Sequence, residues 1–135
     1  MSEAGETFFT AVGCMDGRVQ EPIAVYGKEK FSVLFADTIT EAGLVGLLAN
    51  NPSQELLDSI KKKVLISAEK HHSKGVLVHG HQECAGNPVD DSTHIEDVKK
   101  SVGLIKQLID NKVPVVGVFV KRSVADPKIW EVQEL

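Results

Sequence analysis

Cys14, Asp16 and Arg18 stand at alternate positions in the run VGCMDGRV, directly after the apolar stretch FFTAV. Alternate residues of an extended segment project to the same side. A thiol, an acid and a guanidinium are therefore predicted to converge where a strand ends. Alone they suit two readings, a chemical site or a buried thiol beside an ion pair. A second group shifts the balance. The stretch HGHQECAGN carries His81 and Cys84 three positions apart, the spacing of neighbours on one helical turn. One imidazole and two thiolates form a zinc set of the Cys₂His type, with the fourth position left to water or a carboxylate. A Cys14–Cys84 disulfide or a thiol redox pair would use the same cysteines and leave His81 without a role.

The elements that must position these groups alternate along the chain. Apolar runs at Phe8 to Val12, Phe31 to Phe35, Val76 to Val78 and Val115 to Val120 read as strands, with a short fifth from Ile129 to Val132. Between them, Asn51-Pro52-Ser53-Gln54 reads as a helix start, with Asn51 as N-cap and Pro52 at the first helical position, followed by Leu56, Leu57, Ile60, Val64 and Ala68 at helical spacing. A later helix is predicted from Thr93, carrying Ile95, Val98, Val102, Ile105 and Ile109 on one face, and a weaker one spans Thr40 to Ala49. This pattern predicts an α/β fold: a mostly parallel sheet of four strands plus a short fifth edge strand, with helices on both faces. In such sheets ligands gather where strand order reverses. If strands two and three flank strand one, the loops bearing Cys14 and Cys84 meet there.

With these residues in place, the chain resembles the β-class carbonic anhydrases. Cys14-Met15-Asp16-Gly17-Arg18 and His81-Gln82-Glu83-Cys84 are similar to that family's C-x-D-x-R and H-x-x-C motifs, and RVQEPIAVYG to the segment after the first. The resemblance implies an α/β core in which Cys14, His81 and Cys84 hold Zn²⁺, and an Asp16–Arg18 dyad serving catalysis. It implies reversible hydration of CO₂ to bicarbonate by zinc-bound hydroxide, with Asp16 orienting the nucleophile or, in a closed site, taking the fourth zinc position. A homodimer or higher homo-oligomer is implied in the same way. Of the family's Arg-Asn-Ala-Gly stretch, FADTITEAG keeps only Ala42-Gly43. That difference leaves room for two other readings: a catalytically silent zinc-binding module, or a zinc hydrolase of another small molecule such as COS or CS₂.

Bulk composition is ordinary for a globular protein. The 135 residues are expected to form a single zinc-binding α/β domain over 1–135, and a net charge of −4 disfavours a nucleic-acid surface. No run is long and apolar enough for a membrane span. No signal peptide is read at the start, so a cytoplasmic location with reduced thiols is expected. The remaining candidates receive plainer roles. His79 is expected to pack or to support a ligand, His71 and His72 to cap a helix, and His94 to face solvent. Glu83 is read as a turn residue or a hydrogen-bond acceptor, Met15 as core, and Tyr26 and Trp130 as packing or pocket residues.

Overall fold

A computed structural model describes residues 5–135. The elements run β1 (Phe8–Gly13), α1 (Gly17–Phe31), β2 (Phe35–Thr40), α2 (Leu44–Ala49), α3 (Gln54–Lys70), β3 (Val76–His81), α4 (Asp91–Leu108), β4 (Val115–Arg122) and β5 (Trp130–Glu134). They build a sheet of order β2-β1-β3-β4-β5. The pairs β1·β2, β1·β3 and β3·β4 are parallel, and β5 runs antiparallel on β4. The expected reversal of strand order is present: β2 and β3 lie on opposite sides of β1.

Strand alternation divides the core in two. Val12, Val76 and Val78 face α2, α3 and α4, meeting Leu44, Ile60, Val64, Val98 and Ile105. Phe9, Ala11 and Leu77 face the other way, onto Val19 and Ile23 of α1 and toward Trp130 and Val132 of β5. Helices thus cover both faces. β3 is buried along its whole length, as its unbroken apolar run requires of a central strand.

Several boundaries differ from those expected. Phe31 closes α1 and is not part of β2; Ser32 then ends the helix in the left-handed region, at φ 54°. Helical spacing of Val19, Ile23, Gly27 and Phe31 wins over the local β-propensity of FSVLF, because Phe31 stacks on Phe9 with ring centroids 5.8 Å apart. The strand instead uses FADTIT at the sheet edge, where exposed polar positions are tolerated. Ser53, not Asn51, caps α3 by accepting from the Leu56 N–H. Asp90 caps α4 by accepting from the Thr93 N–H. His94 lies one turn before Val98 on the buried face of α4, so it points inward, where it is 2% exposed and packs on Gly80. Met15, expected in the core, is 62% exposed. Among the described residues no helix is long and apolar enough to cross a membrane.

Candidate metal centre

The three donors anticipated from spacing come together at the carboxyl ends of β1 and β3. Single ligand atoms of Cys14, His81 and Cys84 all lie within 4.8 Å of one another. The sulfurs are 3.8 Å apart, and all three residues are buried. Cys14 follows the last residue of β1, while His81 is the last residue of β3. Cys84 is not on a helical turn with His81. A tight turn joins them, with Glu83 in the left-handed region at φ 57°.

Donor chemistry fits a metal ion. His81 Nδ1 lies 2.7 Å from the Gln82 carbonyl oxygen, which can only accept, so Nδ1 carries the hydrogen. That leaves Nε2 as a bare lone pair, buried and without a hydrogen-bond partner, the arrangement a metal-binding imidazole needs. Burial raises the Cys14 thiol, yet the adjacent His81 imidazole and backbone N–H groups outweigh it and bring it down to about 7. Burial and the neighbouring Cys14 charge push Cys84 up. Two thiolates at this distance repel unless a cation lies between them, which is what a zinc ion would supply.

Asp16 and Arg18 converge beside the donors, though not by strand alternation. The chain leaves β1 at Gly13 and begins α1 at Gly17, so Asp16 is the N-cap of a helix. Its Oδ1 accepts from the Arg18 backbone N–H at 2.9 Å and from Arg18 Nε at 3.1 Å, and Oδ2 accepts from Nη2 at 2.7 Å. These bonds hold the carboxyl down at about 2, against a smaller opposing effect of burial. Asp16 Oδ2 lies 4.0 Å from His81 Nε2, so the ionised carboxylate borders the donor cluster. Gln20 fastens the connecting loop by donating to the Cys14 and Asp16 carbonyls at 2.9 and 2.8 Å.

Residues 4–133 match a family described as "Putative carbonic anhydrase". The chain belongs to that family. No curated protein matches it. Among solved structures it is similar to β-carbonic anhydrase isoform I of Trichomonas vaginalis, at 16% identity and a TM-score of 0.58, covering 93% of this chain and 80% of that one. It is also similar to the β-carbonic anhydrase CafA of Aspergillus fumigatus, at 14% identity and a TM-score of 0.61, covering 97% and 76%. A third likeness, at 11% identity, a TM-score of 0.58 and coverage of 98% and 82%, comes from work on two tetrameric β-carbonic anhydrases of Sordaria macrospora. At these identities the likeness shows the fold, a β-carbonic-anhydrase α/β core.

Within this family member, the retained Ala42-Gly43 has a physical task. The Gly43 N–H donates to Cys14 Sγ at 3.4 Å. Gly43 adopts φ +61°, and a Cβ there would lie 2.4 Å from the Gly86 carbonyl group, so two glycine-bearing loops pack backbone to backbone beside the sulfurs. Gly43→Ala is expected to cost about 2 kcal/mol or more, from left-handed strain plus the clash. Urea unfolding checks this; an unchanged midpoint would refute the close packing.

His79 is fully buried beside Gly13, with no partner for either ring nitrogen. Burial first, and nearby His81 second, push it down to about 3, so it serves as a neutral packing ring. His71 does end α3, where Nδ1 meets Asp37 Oδ2 at 2.7 Å. A groove of about 680 Å³ runs between α1 and β5, with Arg18, Pro22, Tyr26, Ile129 and Trp130 in its lining, and none of the three donors contributes to it. Sequence reasoning missed Gln20, which lies in the RVQEPIAVYG segment without being singled out, and Arg122, which lies in no recognisable motif. It left Glu83 and Trp130 with generic roles. Glu83 and Trp130 both contact Arg18, and Arg122 contacts those two.

Proposed function

We propose that this protein is a zinc-dependent carbonic anhydrase that interconverts CO₂ and bicarbonate. Cys14, His81 and Cys84 would hold the ion, and Asp16 with Arg18 would act on the reacting water. The single observation that carries this reading is His81, its Nε2 buried and orphaned, gathered with two cysteine sulfurs within 4.8 Å, with an ionised carboxylate at the edge of the cluster.

When bound, zinc supplies Lewis acidity and makes water a nucleophile at neutral pH. The chain's own residues do the rest. Gln82 fixes the His81 tautomer through its carbonyl. The Gly43 N–H stabilises the Cys14 thiolate. Asp16, ionised throughout the physiological range, accepts a hydrogen from the attacking water and so turns its lone pair toward the carbon of CO₂. Arg18 grips both Asp16 oxygens and keeps the carboxylate from swinging the short distance into the donor cluster. A homodimer or higher homo-oligomer, in a cytoplasmic setting, completes the proposal; the tetrameric fungal relatives support the assembly.

A second reading rests on the 4.0 Å separation of Asp16 and His81. If Asp16 serves as the fourth ligand, the chain is a silent zinc-binding module. Metal analysis of purified protein combined with stopped-flow CO₂ hydration separates the two. One zinc per chain with hydration well above buffer supports the enzyme. One zinc per chain with no hydration from acid to alkaline pH supports the module, and a small-molecule screen including COS and CS₂ then tests a changed substrate.

A further inference from the structure

The chain contains only two arginines, Arg18 and Arg122, and a single tryptophan, Trp130. Both arginines meet at one carboxylate, and the tryptophan packs against both guanidiniums. Glu83 Oε2 accepts from Arg122 Nε at 2.7 Å, and Oε1 accepts from Arg122 Nη2 at 3.0 Å. The same Oε1 accepts from Arg18 Nη1 at 3.3 Å, while the Glu83 carbonyl accepts from Arg18 Nη2 at 3.1 Å. Trp130 lies under both guanidiniums, with centroid distances of 4.9 Å to Arg18 Cζ and 4.5 Å to Arg122 Cζ. Arg122 and Trp130 are direct partners across the antiparallel β4·β5 ladder. Two further bonds fasten Arg122: Nη1 donates to the Pro127 carbonyl at 2.8 Å and its backbone N–H to Gln82 Oε1 at 2.9 Å.

These distances define a competition. Arg18 faces two carboxylates, Asp16 and Glu83, and can fork fully onto only one of them. Arg122 takes both oxygens of Glu83 in shorter bonds than Arg18 makes with it, so Glu83 is largely satisfied and Arg18 remains on Asp16. Remove Arg122, and Glu83 loses its two shortest bonds, leaving the Arg18 guanidinium as the partner within its reach.

We propose that Arg122 is a positioning residue that occupies Glu83, so that Arg18, stacked on Trp130, stays locked onto Asp16. The role is exercised from β4, through the turn that joins two candidate metal ligands. Its catalytic consequence rests on the carbonic-anhydrase reading; the geometric claim does not.

The test uses zinc-loaded protein labelled with ¹⁵N-arginine, in which only two side-chain Nε–H signals arise. In Arg122→Gln the one remaining signal, from Arg18, is expected to shift and to exchange faster with water. The kcat for CO₂ hydration is expected to fall about tenfold with KM nearly unchanged, because Asp16 is misaimed and no substrate contact is lost. Adding Glu83→Gln removes the competitor, so the double variant is expected to regain most of the lost kcat and the original Arg18 signal. Arg122→Lys, which keeps the charge and loses the fork, should fall between wild type and Arg122→Gln. An Arg18 signal unmoved by Arg122→Gln overturns the proposal. So does a double variant worse than Arg122→Gln alone, which would mark a merely structural role. If the wild-type protein has no hydration activity, the functional reading fails, and the Arg18 signals still decide the geometric claim.

Discussion

Cys84→Ser is expected to leave a folded protein that holds zinc at least a hundredfold more weakly and hydrates CO₂ no faster than buffer. Loss of outer partners of metal ligands already weakens binding about 10–100-fold, and removing a ligand exceeds that. The substitution is nearly isosteric in a buried loop, so the fold should survive; circular dichroism and competition with a chromogenic chelator measure the two effects separately. The wild-type affinity should also depend on pH in a defined direction. Ligation needs both thiols deprotonated. Cys14 ionises at about 7 in the metal-free protein, and Cys84 is pushed above its ordinary value by burial and by Cys14. Binding therefore displaces protons: affinity weakens as pH falls from the alkaline range where Cys84 ionises, and more steeply below about 7, where Cys14 is protonated as well. Equal zinc affinity in wild type and Cys84→Ser would remove Cys84 from the ligand set.

Asp16→Asn is expected to lower CO₂ hydration about 10²–10³-fold with zinc retained, the scale of losing a positioned general base. Asparagine can still cap α1, so the change removes the charge more than the helix start. Stability tests the same group independently. The Asp16 carboxyl is depressed from 3.8 to about 2, chiefly by the Arg18 bond. A depressed acid stabilises the fold above its unfolded value, and that contribution is lost as pH falls through the folded value. Wild type should thus lose about 1 kcal/mol between roughly pH 4 and pH 2 that Asp16→Asn never had, for a partly solvent-screened pair. Urea unfolding across that window measures it. A variant with full zinc and wild-type hydration would show that the carboxylate is not part of the chemistry.

What could be read from the sequence was what depended on unbroken burial and on local spacing. β3 and β4 announce themselves because central parallel strands are apolar on both faces, and once β2 and β3 flank β1, as they do, the two cysteine-bearing loops face each other. The donors Cys14, His81 and Cys84 were legible for the same reason. α1 was not. Pro22 lies inside it, and its buried positions are interrupted by Gly27, whose lack of a side chain admits the Phe9 ring. Without that helix, Asp16 and Arg18 looked like successive outward positions of a strand. They are a cap and its first turn. Met15 was misjudged with them: Cys14 turns inward to the cluster, and its neighbour is left in solvent. Arg122 had no signal and Trp130 only a generic one, because only the antiparallel register of β5 brings them opposite each other.

Asp16 as N-cap has one more consequence. The oxygen that accepts the Arg18 backbone N–H belongs to the carboxylate that borders the donor cluster. A carboxylate that rotates inward must abandon that N–H and leave the start of α1 uncapped, at a cost of about 1 kcal/mol. Fraying of the first turn and closure of the site are therefore one event. Amide hydrogen exchange at Arg18 becomes a local gauge of how often the aspartate departs, readable without substrate and without following the reaction.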